Sequence, residues 1–81
     1  MKYFVRRESK YSHRVDYKRT KCTDHWCGEE YLKKYPDRVW QFSKQGAQGI
    51  ANKGNEIYGW GYVYSIVPVT DLLPIESEVS A

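Results

Sequence analysis

Residues 2–7 alternate in character, with Tyr3 and Val5 on one side and Phe4 and Arg6 on the other, which is the period of a strand. The stretch 8–13 is polar and turn-like. Alternation returns over 14–19 and places Val15 and Tyr17 together, so a first hairpin is predicted, with a connection longer than a two-residue turn. Residues 20–28 show no period and read as irregular. Residues 29–35 predict a short helix: Glu29 and Glu30 come first, Lys33 and Lys34 come late, as the helix dipole favours, and Pro36 stops it. Tyr31, Leu32 and Tyr35 would share its buried side.

The second half is better marked. Residues 38–42 predict a strand with Trp40 and Phe42 on one face. Ser43 is a good N-cap for a helix over 44–53, where Ala47, Ile50 and Ala51 recur at i, i+3 and i+4. Gly46 and Gly49 weaken that helix by roughly 1 kcal/mol each relative to alanine, and Gly54 is placed to end it in a left-handed conformation. Residues 60–69 predict the longest strand. Trp60, Tyr62, Tyr64 and Ile66 fall on one face and Val63, Val67 and Val69 on the other, so it belongs in the middle of a sheet or in one covered on both sides. Pro68 marks where its ladder weakens. Leu72, Leu73 and Ile75 are expected to fold back over the core.

These elements predict an α+β fold in the order β-β-α-β-α-β, a mostly antiparallel sheet of about four strands packed on one main helix. One domain over residues 1–75 and a loose C-terminal tail over 76–81 are expected. With 81 residues, 41% hydrophobic and 16% aromatic, the chain has material for one compact core. No apolar run approaches the ~20 residues that span a bilayer, and charge returns at Arg6 and Arg7 before a signal-peptide core could form. A cytoplasmic protein is expected.

Charge changes the picture along the chain. The net +3 divides into +5 over residues 1–27, +2 over 28–54 and −4 over 55–81. Arg6, Arg7, Lys10, Arg14, Lys18, Arg19 and Lys21, interleaved with Tyr11 and Tyr17, therefore form the candidate face for an anionic partner. The alternative is a solvated basic face that keeps a small protein soluble.

Candidate chemistry is sparse. Cys22 and Cys27 are too few for a disulfide scaffold. With His25 between them and His13 upstream they are weak candidates for a metal site, because the spacing is not that of a zinc knuckle. The same residues lack any flanking signature of a nucleophile pair, and Glu29-Glu30 is explained by the helix start, so no catalytic residue and no cofactor are expected.

The run Tyr58-Gly59-Trp60-Gly61-Tyr62-Val63-Tyr64 looks like the strand signature of RNA-recognition motifs. It departs where Tyr58 stands for a basic residue and Ser65 for an aromatic one. The helix and strand that should follow do not fit the remainder, so that family is rejected. Trp60 and Tyr62 remain candidates for a partner-binding aromatic surface, against the simpler role of covering the main helix together with Tyr64.

The strand–helix–strand run over 40–69, with Phe42-Ser43 opening the helix and Gly59-Trp60-Gly61-Tyr62 opening the last strand, resembles small accessory proteins of bacteriophages and mobile elements, including some anti-CRISPR inhibitors. The resemblance implies action by occluding a surface of a host protein, and it assigns no functional residue. The expected function is a non-catalytic protein-binding module, an inhibitor of a host nucleic-acid machine such as a CRISPR complex. The alternative is direct, weakly sequence-specific nucleic-acid binding through the basic hairpin.

Overall fold

The computed structural model describes residues 1–73. The expected tail, together with Ile75, lies outside them. Four antiparallel strands, β1 (Tyr3–Ser9), β2 (Val15–Lys18), β3 (Trp26–Gly28) and β4 (Tyr62–Pro68), form one sheet in the order β3-β2-β1-β4. The main helix is α2 (Lys44–Tyr58), and shorter helices are α1 (Glu29–Lys34) and α3 (Val69–Leu72). The α+β class, the four-strand sheet and the single main helix packed on it are thus as the sequence predicts.

Register follows from the alternation. Arg6 faces Tyr17 and Glu8 faces Val15 across the first hairpin, while Tyr3 to Ser9 pair with Pro68 to Tyr62 on the other side. Strand β1 is central, so successive side chains are buried on opposite faces and both Phe4 and Val5 are fully buried. On one face Phe4 packs with Tyr17, Cys27, Leu32 of α1 and Val39, and with Leu72 and Leu73 at the edge. On the other, Val5 packs with Phe42 and Ala47, flanked by Ile50, Ile66 and Trp26. The sheet separates two small clusters, and each has its own helix.

Several boundaries differ from expectation. Residues 38–42 do not form a strand. Pro36 opens a 3₁₀ turn over Pro36–Arg38, and the chain then crosses the end of the sheet. Trp40 donates its N–H to the Arg19 carbonyl at 2.8 Å, and Phe42 exchanges two backbone bonds with Tyr3 in one isolated bridge. A crossing segment cannot present one face, so Val39 enters the first cluster, Phe42 the second, and Trp40 points outward. The missing strand is instead β3, within the stretch read as irregular, where Tyr17 pairs with Cys27 and Lys18 with Trp26.

Helix α2 begins as predicted, with the Ser43 hydroxyl accepting from the Gly46 N–H at 3.2 Å. It does not end at Gly54. Gly54 is buried against the ring of Tyr64, and a Cβ built there would lie 2.6 Å from Tyr64 Cδ2. Glycine serves here as a close-approach residue. The next residue, Asn55, binds both backbone groups of Tyr64: its Oδ1 accepts from the N–H at 2.7 Å, and its Nδ2 donates to the carbonyl at 2.9 Å. Strand β4 begins at Tyr62 rather than Trp60, and after Pro68 the chain turns into α3.

A candidate protein-interaction surface

One end of the molecule is built from two loops that lock together. The connection of the first hairpin passes through His13 in a left-handed conformation (φ 59°) and closes with the His13 N–H on the Ser9 carbonyl at 2.9 Å. The Ser9 hydroxyl accepts from the N–H groups of Tyr11 and Ser12, each at 3.2 Å. Across from it lies the Gly59–Gly61 turn that joins α2 to β4. Lys10 donates its N–H to the Gly61 carbonyl at 2.9 Å and its ammonium to the Gly59 carbonyl, and the Tyr11 hydroxyl reaches the Trp60 carbonyl at 3.4 Å.

The loops hold two large aromatics in water. Tyr11 is 76% exposed and Trp60 is 70% exposed, and Tyr58 and Val63 nearby in the chain are about half exposed. Neither Tyr11 nor Trp60 covers the main helix. That role falls to Tyr64, which is buried against Gly54 and lies edge-on to Trp26 at 5.8 Å. Tyr62 lies between the two settings, half-buried and within 4.8 Å of the Arg7 guanidinium.

The predicted basic face is divided by the sheet and largely engaged within the fold. Arg6 and Arg7 are neighbours on β1 and therefore lie on opposite faces. Arg6 binds Glu8 at 3.0 Å. Arg7 sits between the rings of Trp26 (4.2 Å) and Tyr62 (4.8 Å), and its Nε faces Asp16 at 3.6 Å, an ion-pair distance too long for a hydrogen bond. Arg14 reaches Asp16 at 3.2 Å, so one buried carboxylate serves two guanidiniums. Lys18 is itself buried and donates to the Thr23 carbonyl at 2.6 Å. Arg19 donates to the Tyr31 hydroxyl at 3.0 Å on the α1 side. Lys10 is bound as described above, and Lys21 is exposed, 5.7 Å from the ring of Trp40. Tyr17, expected on the binding face, is instead a core residue whose hydroxyl meets Glu29 at 3.3 Å. Burial, followed by the nearby Glu29 carboxylate, raises its pKa.

The candidate metal ligands do not converge. Cys27 belongs to the Phe4 cluster, Cys22 is exposed in the loop before β3, and the His25 ring contacts Thr23 Oγ1 at 2.7 Å. Among the described residues no group of three His, Cys, Asp or Glu side chains is placed to hold a metal ion. No helix among them is long and apolar enough to cross a membrane.

Sequence reasoning missed Ile57 and Tyr58, both about half exposed at the end of α2. The signal was present: Ile57 stands seven residues after Ile50, and Tyr58 four after Gly54, but a helix stopped at 53 hides both spacings. No family model, curated protein or solved structure matches this chain.

Proposed function

We propose that this chain is a non-catalytic binding protein that engages a partner protein through the aromatic end formed by Tyr11 and Trp60. One observation carries the reading: two large aromatic side chains stand more than two-thirds exposed on loops that are hydrogen-bonded to each other. Tyrosine and tryptophan held in place lose little conformational freedom on docking and dominate protein interfaces. The non-catalytic part rests on where the perturbed groups lie. Tyr17 and Cys27 are shifted chiefly by burial in the core, and Glu8 chiefly by the hydrogen bond from Arg6 at the surface, so none of the three has the setting of a catalytic group in a cleft.

The alternative, phosphate binding by the basic hairpin, is less well supported. Neutralising a phosphate backbone takes cations free to leave their partners, and Arg6, Arg7, Lys10, Arg14, Lys18 and Arg19 each hold a partner within the fold. The partner class we propose is a host protein of a nucleic-acid machine such as a CRISPR complex, with occlusion of its surface as the mode of action. The resemblance to small accessory proteins of phages and mobile elements supports that choice.

The test is capture of binding proteins from bacterial lysate, with and without nuclease, by the tagged wild type and by Trp60→Ala. A dominant protein retained by the wild type, with affinity lowered about thirtyfold or more by Trp60→Ala, is expected of an aromatic anchor. Recovery that vanishes with nuclease and ignores Trp60 would replace this reading with the nucleic-acid one.

A further inference from the structure

A groove of about 420 Å³ lies between α2 and the loop that joins β2 to β3. Trp26 of β3 and Ile50, Ile57 and Tyr58 of α2 contribute its apolar surface. Ile57 and Tyr58 are about half exposed, beside the buried stripe of Ala47, Ala51 and Gly54. Three cations line the same groove: Lys18, Lys21 and Lys53. Lys18 uses one of its three donors on the Thr23 carbonyl, and Lys53 has no ion-pair or hydrogen-bond partner among the described residues. The one carboxylate in the lining, Asp24, accepts the indole N–H of Trp26.

We propose that this groove binds a short acidic segment of a partner protein, seating a bulky apolar side chain on Ile50 and Ile57 while flanking carboxylates meet the exposed Lys21 and Lys53. Charge complementarity selects this occupant. Two exposed lysines, Lys21 and Lys53, beside an apolar floor whose one acid already accepts the Trp26 indole favour an anionic ligand that also has a hydrophobic anchor. A nucleic-acid strand fits this surface less well. Base stacking needs a free ring face, but Trp26 carries the Arg7 guanidinium at 4.2 Å and the Tyr64 ring edge-on at 5.8 Å. The two isoleucines of the floor offer a phosphate nothing. The inference rests on the protein-binding reading above but uses a different surface, reached from the aromatic end through Tyr58.

The experiment measures fluorescence polarisation with a labelled synthetic peptide of glutamates around a central phenylalanine. Its controls are the same peptide with serine for phenylalanine, a version with lysine for glutamate, and an oligothymidylate. The acidic phenylalanine peptide is expected to bind the wild type and Trp60→Ala alike. Lys21→Glu with Lys53→Glu, and separately Ile57→Ser, should each weaken it about tenfold or more. All three substituted side chains are exposed, and circular dichroism of each variant confirms the fold. No binding at millimolar peptide, equal binding of the lysine peptide, or indifference to these substitutions overturns the proposal. Displacement by oligothymidylate with the same sensitivity to Lys21 and Lys53 would assign the groove to nucleic acid instead. Because Trp60 lies outside the groove lining, loss of peptide binding with Trp60-dependent capture intact removes only the groove, and the reverse pattern removes only the aromatic end.

Discussion

Glu8 receives a hydrogen bond from Arg6 at 3.0 Å and lies 3.4 Å from His13 Nδ1. Both contacts favour the carboxylate, Arg6 more than His13, so its pKa is held below the ordinary 4.5. A lowered folded-state pKa means that the stabilisation is complete above the unfolded value and is lost as pH falls through the folded one. Melting temperatures of the wild type and Glu8→Gln should therefore differ slightly at neutral pH and converge as the solution is taken acid of 4.5. A gap that persists in acid would mean the pair does not act through charge. The two cysteines offer a second residue-scale contrast. Burial raises the Cys27 thiol, and Cys22 is exposed, so iodoacetamide at neutral pH should label Cys22 first in the folded protein and reach Cys27 only with denaturant. Peptide mapping that finds equal rates would contradict the placement of Cys27 in the core.

Helix α2 is held to the sheet at one place by shape and at the next by hydrogen bonds. At Gly54 the ring of Tyr64 occupies the space where a Cβ would lie. Gly54→Ala gains about 1 kcal/mol of helix propensity, but overpacking against a buried ring costs about 1–3 kcal/mol, so a net loss is expected in chemical denaturation. Asn55 binds the outward-facing backbone groups of β4, an edge strand in this sheet. Asn55→Ala removes both bonds and should cost about 1–2 kcal/mol, while leaving an edge open to pairing with other chains. A loss of stability without any gain in self-association would confine Asn55 to stabilising the native state. The helix itself was legible from Ser43 and the Ala47–Ala51 spacing, but its end was not. Gly54 carries the usual mark of a helix terminus, and only the position of Tyr64 on a neighbouring strand turns it into a packing residue. The same limit hid β3, whose three residues are a strand only because β2 lies beside them.

Across the whole molecule, the alternating stretches were sufficient to predict the class, the first hairpin and the last strand. Exposure was not legible in the same way. Trp40 and Trp60 each stand in a run that alternates well, yet both lie outside the ladder, one where the chain crosses the end of the sheet and the other in a turn. Tyr17 shows the opposite error: its basic neighbours suggested a surface, and the packing of α1 on the hairpin buries it. Period alone assigns a side to each residue but not the partner that covers that side.

The central position of β1 has a consequence for how the protein is made. Tyr3 to Ser9 leave a ribosome well before their partners on one side, Pro68 to Tyr62, so that edge of β1 waits for nearly all of the described chain to follow it. Until then the nascent protein can form the first hairpin and α1 but leaves the other edge of β1 unpaired. Closing so long a loop is slow compared with local structure, and the exposed edge is a place where neighbouring chains can associate. Folding yield during synthesis should thus depend on the time spent between the first hairpin and the arrival of β4 more than on the stability of the finished fold.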